Sequence, residues 1–164
     1  MWSKTNEVLP MSEPAAAVTI APLWRRIAAM LYDSLLVFAI WIMVGFVVLT
    51  AFGIDEARTV DGEVITLNPL YEYTLFAAMV VSAFLFFGWF WTHSGQTLGM
   101  QAWRIKVQNL DGSPLSWRQS LIRCASAPPA LLVAGLGYLC MLVDPAKRTL
   151  PDRLSRSQIV RVPL

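Results

Sequence analysis

The sequence predicts an all-α membrane protein with two transmembrane helices, a third hydrophobic segment that is broken or re-entrant, and a small cytoplasmic β-pair. Three observations lead there. The chain of 164 residues is 56% hydrophobic and 15% charged. Its apolar residues gather in three runs, 27–52, 73–92 and 124–143. At 1.5 Å of rise per residue, about 20 residues cross a hydrocarbon core about 30 Å thick. Finally, basic residues crowd some connections and avoid another. Three buried helices of a soluble protein would need a polar shell that so few charged residues cannot supply.

Residues 1–22 carry three prolines (Pro10, Pro14, Pro22) and no hydrophobic period, and read as a mobile cytoplasmic tail. Residues 23–162 read as a single membrane domain. The first run is too long and starts too late for a signal peptide, and it lacks a small-residue cleavage motif. The connection over residues 53–72 holds Asp55, Glu56, Asp61, Glu63 and Glu72 against Arg58 alone. After the second run, "WRIKVQN" alternates as a strand does, and Asp111-Gly112 marks a turn. "LSWRQSLIR" opens a helix with Ser116 as its N-cap. The C-terminal "SQIVRV" alternates again, so "RIKV" and "IVRV" are expected side by side, with Lys106 and Arg161 as neighbours, sealing the cytoplasmic face. No internal repeat is evident. Trp24, Trp89, Trp91 and Trp103 read as an interfacial belt, and His93 as a surface residue at the end of the second helix.

Charge sets the topology. Lys4, Arg25 and Arg26 flank the first run. Arg104, Lys106, Arg118 and Arg123 precede the third. Lys147, Arg148, Arg153, Arg156 and Arg161 follow it. The positive-inside rule puts all three groups in the cytoplasm and the 53–72 connection outside. Two full spans satisfy that, whereas a third would carry the basic tail across. The third run contains Pro128-Pro129 and the Gly135-Leu136-Gly137 stretch, which kink and reverse a helix. A hairpin with both ends cytoplasmic is therefore expected.

Asp33 is the one charged residue inside the three runs. An intramembrane acid costs roughly 2.5–3.5 kcal/mol on insertion scales, so it needs a compensating partner. Tyr32, Ser34, Thr92 and Ser94 are the nearby candidates. Arg26 and Asp33 share a helix stripe two turns apart, about 10 Å. If the tail is cytoplasmic, Asp144 or Asp152 meets Arg26 at that interface.

The segments "RRIAAMLYD" (Arg26, Ala29, Asp33), "GQTLGMQAWRIKVQNLDG" (Gly95, Thr97, Gly99, Val107, Asp111, Gly112), Arg123 and "RTLPDRLSRSQIV" (Asp152) together resemble the RDD family of small bacterial membrane proteins, over roughly residues 20–162. The resemblance implies that Arg26, Asp33 and Asp152 are the arginine and two aspartates for which the family is named. Gly95, Thr97, Gly99, Arg123 and Asp144 stand as supporting residues. This chain departs from the family pattern at Met100, where many members have lysine, at Pro151, where histidine is common, and at Arg156 and Ser157.

The resemblance implies a multi-pass protein of the bacterial inner membrane, with transport proposed for the family and sodium/proton antiport suggested for some members. The expected role is transport or ion homeostasis. Asp33 would bind a proton or cation, Arg26 would tune it, and Asp152 would hold Arg26 or compete for it. The alternative is a structural or accessory protein whose triad is a folding clasp. An enzyme is not expected, for the sequence offers no nucleophile–base pair, no metal-ligand spacing and a single histidine. No cofactor is expected. "GQTLG" lacks the glycine spacing of a phosphate loop. Cys124 and Cys140 read as small packing residues with no disulfide framework. A net charge of +2 gives no reason to expect nucleic acid. The expected partners are the lipid bilayer and further copies of the chain or another membrane protein, since one copy has too few helices to enclose a path.

Overall fold

A computed structural model describes residues 19–53, 58–61, 64–132 and 135–163, with side chains from 67 onward after the first connection. Residues 1–18 of the expected tail and the acidic residues Asp55, Glu56 and Glu63 lie outside the described residues.

Helix α1, Leu23–Phe52, runs for 30 residues from the exit of Pro22. The first connection contains an antiparallel hairpin of β1, Arg58–Asp61, and β2, Val64–Leu67, where the sequence reading placed no strand. Helix α2, Pro69–His93, begins ahead of the apolar run because Asn68 accepts from the Leu70 N–H at 2.9 Å and Pro69 presets the first turn. Helices α1 and α2 pack together around Val48, Tyr71, Leu49 and Leu75, and Trp41 Nε1 donates to the Met79 carbonyl at 3.0 Å. Away from that seam their faces are bare. Phe38, Ile42, Phe46, Phe76 and Val80 are all exposed. Such helices are apolar all round and demand an apolar solvent. Both are long and apolar enough to span a bilayer, so this is a membrane protein.

The remaining elements gather at one end of this pair. In order they are α3, Leu98–Ala102; β3, Ile105–Asn109; α4, Trp117–Leu132; α5, Leu136–Leu139; a 3-10 turn, Cys140–Leu142; α6, Leu150–Leu154; and β4, Ser157–Arg161. Ser116 and Gln119 open α4 with a reciprocal capping box: the Gln119 N–H donates to Ser116 Oγ, and the Ser116 N–H donates to Gln119 Oε1. Pro128 and Pro129 lie inside α4 rather than breaking it. Each deletes its own N–H from the ladder, and the rest of the helix carries on past them. The change of direction comes later. Gly135 is left-handed (φ +70°), and the following turns run at 110° to α4. The third hydrophobic segment is thus bent, at the Gly135-Leu136-Gly137 stretch expected to reverse it and not at the prolines.

Strands β3 and β4 pair antiparallel, as their alternation predicts, with Ile105 opposite Arg161, Val107 opposite Ile159 and Lys106 opposite Val160. Lys106 and Arg161 are therefore on opposite faces, one register step off the expected neighbours. Residues 19–21, expected within the tail, bond to the outer edge of β4: the Ala21 N–H reaches the Ile159 carbonyl, and the Arg161 N–H reaches the Thr19 carbonyl. Beneath the sheet Ala21, Ala29, Met100, Ile105, Val107 and Leu115 form a small core, joined by Trp91 and Trp103. Those two tryptophans accordingly pack against protein, while Trp24 and Trp89 stay exposed.

The sheet also corrects the expectation that the chain has no internal repeat. Each of its strands ends the same unit: a threonine N-cap (Thr97, Thr149), a leucine, a five-residue helix, a left-handed arginine (Arg104 at φ 52°, Arg156 at φ 53°) and a five-residue strand. Val107 and Ile159 occupy equivalent places in the two units, and the register sets them opposite each other.

Candidate functional site

Arg26 enters from the first turns of α1 and is 2% exposed. Its Nη1 donates to Asp152 Oδ2 at 2.5 Å, its Nε to the Ala21 carbonyl at 3.0 Å, and its Nη2 to the carbonyls of Ile159 and Lys147. One guanidinium thus ties α1 to the tail helix, to β4 and to its own leading strand. Asp152 is fully buried. Its other oxygen accepts from Arg123 Nη1 of α4 at 2.8 Å, and Oδ2 also accepts from the Thr149 N–H at 3.1 Å. That last bond makes Asp152 the third residue of a capping box on α6. Burial pushes the Asp152 carboxyl up, but the Arg123 and Arg26 guanidiniums and the Thr149 N–H outweigh it and hold it below the usual carboxylate range. Arg123 also donates to the hydroxyls of Ser157 and Ser155 and stacks over Trp91, 5.2 Å from the ring centre.

Asp33 is two turns further along α1 and 4% exposed. None of the four expected partners reaches it. Ser34, Thr92 and Ser94 each turn back to carbonyls near their own helix turn. Instead Asp33 meets the start of α3: Thr97 Oγ1 donates to Oδ2 at 2.5 Å, and the Gly99 N–H donates to Oδ1 at 2.9 Å. Gly99 is glycine for a steric reason. A Cβ there would stand 2.9 Å from Asp33 Oδ1 and would overlap the Ala29 carbonyl oxygen. Gly95 (φ +71°) serves the same corner, where its carbonyl accepts from the Val107 N–H at 2.8 Å.

The two aspartates play matched parts. In the second unit Asp152 caps α6 from within. In the first unit the equivalent position is Met100, and Asp33 of α1 supplies the carboxylate to the α3 N-terminus instead. Arg26 and Asp33 therefore grip different units. No bond joins them, and among the described residues no cation contacts Asp33. They meet only as walls of one cavity of about 80 Å³, together with Arg123, Met100, Trp91 and Tyr138. Asp144 stays outside it, accepting from the Arg148 N–H at 2.9 Å and lying 3.9 Å from Arg153.

Sequence reasoning did not single out Thr149, Ser155 or Tyr138, and named Ser157 only as a departure from the family pattern. Thr149 carried a local signal, the Thr-x-x-Asp spacing of a capping box. The serines and Tyr138 carried none. Among the described residues no group of three or more metal-ligating side chains gathers.

Comparison with curated proteins gives no match, and neither does comparison with solved structures. The model of the RDD family matches residues 20–156, from the segment that leads into α1 to the left-handed Arg156 at the entrance to β4. That stretch contains Arg26, Asp33, Arg123, Asp152 and the cavity between them, and the chain belongs to the RDD family.

Proposed function

We propose that the protein serves transport or ion homeostasis in the bacterial inner membrane, and that its named residues divide the work. Arg26, Asp152 and Arg123 form a structural clasp that docks the C-terminal segment onto α1. Asp33 is the intramembrane carboxyl that takes up a proton or a small cation. One observation carries this reading: Asp33 is buried, faces a cavity, and has two neutral hydrogen-bond donors but, among the described residues, no cation. A carboxylate removed from water without a counter-charge is a site for a proton or cation, because neutralisation relieves its desolvation cost. Each copy contributes two full-length apolar helices and one bent segment. The path therefore lies between copies of the chain or between the chain and a partner membrane protein.

A second reading has its own support. Asp33 caps α3 much as Asp152 caps α6, so both aspartates could be purely structural. Purified protein in vesicles with imposed pH and sodium gradients separates the two. Asp33→Asn preserves shape and an acceptor for the Gly99 N–H. Loss of flux in a variant that unfolds at the wild-type temperature supports ion exchange. Wild-type protein that moves neither ion, or a variant that moves them equally well, leaves the clasp.

A further inference from the structure

The entrance to α1 carries a feature that neither the clasp nor Asp33 uses. Arg25 sends Nη1 to the Trp103 carbonyl at 3.1 Å and lays its guanidinium over Trp24 at 5.1 Å, while its buried Nε has no hydrogen-bond partner. Trp103 is followed at once by the exposed, left-handed Arg104, whose carbonyl accepts from the Val162 N–H. Arg161, also exposed, lies opposite Ile105 in the sheet. The Arg25 side chain and the backbones of Arg104 and Arg161 thus meet at the Trp103–Ile105 corner. The described ion pairs engage Arg26, Arg123, Arg148 and Arg153, and none engages these three.

The surroundings are aromatic and then apolar. Trp24 and Tyr32 each meet the Trp103 ring edge-on, at 5.4 and 6.2 Å. Below Trp24, the residues Ile27, Leu31 and Leu35 recur at helical spacing and are 44%, 63% and 71% exposed. The corner also stands at the first turn of a helix built to span a bilayer, the depth at which tryptophan and tyrosine mark the headgroup layer.

We propose that this corner is a binding site for an anionic phospholipid. The phosphodiester lies among Arg25, Arg104 and Arg161, with Trp24 and Tyr32 at the glycerol level and an acyl chain along Ile27, Leu31 and Leu35. Guanidinium groups match a phosphate with paired donors. The unpaired cations suit an anion, and the exposed stripe suits a hydrocarbon chain, so one molecule satisfies both.

The test uses full-length protein purified in a neutral detergent. It is titrated with dioleoyl phosphatidylglycerol, with dioleoyl phosphatidylcholine of identical chains, and with soluble glycerol 3-phosphate, and binding is read by native mass spectrometry and by the rise in unfolding temperature. Phosphatidylglycerol should bind in clear preference to phosphatidylcholine, and glycerol 3-phosphate should give no protection. At roughly fivefold in affinity per cation near an anionic surface, the triple change of Arg25, Arg104 and Arg161 to glutamine should weaken phosphatidylglycerol about a hundredfold. The triple change to lysine should keep most of the preference, which guards against a variant that misfolds. Glutamine at Arg118 and Arg153, exposed cations away from the corner, should leave it intact. Equal binding of both lipids, protection by glycerol 3-phosphate, or undiminished preference in a folded glutamine variant would each overturn the proposal.

Discussion

Asp152 accepts from two buried guanidiniums and a backbone N–H, so its loss and the loss of a single arginine are not equivalent. Asp152→Ala strands Arg26 and Arg123 together, and breaking a buried pair from one side costs roughly 3–5 kcal/mol. Arg26→Ala leaves Asp152 still held by Arg123 and should cost less. A double-mutant cycle on detergent-solubilised stability should therefore show strong coupling between positions 26 and 152, with Asp152→Ala the more damaging single change; strict additivity would rule the clasp out. The pH dependence follows from the same contacts. The folded carboxyl titrates below its unfolded value of about 3.9, so the stability it contributes is present above that pH and disappears as pH falls through the folded value. Acid unfolding should be less steep in Asp152→Asn than in the wild type. Arg26 and Asp33 were legible in the sequence because a charge in or beside an apolar run is conspicuous. The partner of Asp33 was not, since Thr97 lies 64 positions away and no local spacing encodes that meeting.

Among elements, the β-pair was legible because alternation fixes which residues face the core, and Ile105 and Val107 are indeed buried. Register is a finer matter, set by the turns that feed the strands, and it moved by one position. It can be checked directly. In a protein with Cys124 and Cys140 changed to serine, cysteines at Gln108 and Gln158, which face each other, should crosslink far more readily than cysteines at Lys106 and Arg161. The reverse ranking would reject the observed pairing. The repeated unit was hidden for a related reason. Its two copies share a cap, a leucine, a left-handed arginine and a strand, but Met100 stands in one where Asp152 stands in the other. Backbone geometry carries the likeness more than side chains do. The α1–α3 contact depends on one missing side chain. Gly99→Ala would force a methyl against the Ala29 carbonyl and Asp33, an overpacking cost of typically 1–3 kcal/mol. It should lower the unfolding temperature, whereas Gly112→Ala, with open space around it, should disturb only the exposed turn.

At the scale of the whole molecule the question is which side of the membrane holds the tail. Strand β4 and the segment at residues 19–21 are hydrogen-bonded to each other, so the start of α1 and the end of the chain share one face. That face also holds α3, β3 and α6, because Arg26 reaches Asp152 there and Asp33 reaches Thr97. Helices α1 and α2 are each long and apolar enough to span, and two spans would return the chain to its starting side. If both helices cross the membrane, the bent third segment leaves from and comes back to that same side, since α4 begins and α6 ends beside the one sheet. Its 110° corner fits a re-entrant segment and a broken crossing alike, so the angle does not choose between them. Basic residues outnumber acidic ones on this face, with Arg104, Arg118, Lys147, Arg153, Arg156 and Arg161 all exposed, and the positive-inside rule assigns such a face to the cytoplasm. Reporter fusions after Leu164 and after Ser113 should therefore both register cytoplasmic, and a fusion in the connection between β1 and β2 should register periplasmic. A periplasmic signal at Leu164 with a cytoplasmic one at Ser113 would mean a third complete crossing. It would also separate Asp152 from Arg26 by the thickness of the bilayer, and the clasp that orders the site would have no physical basis.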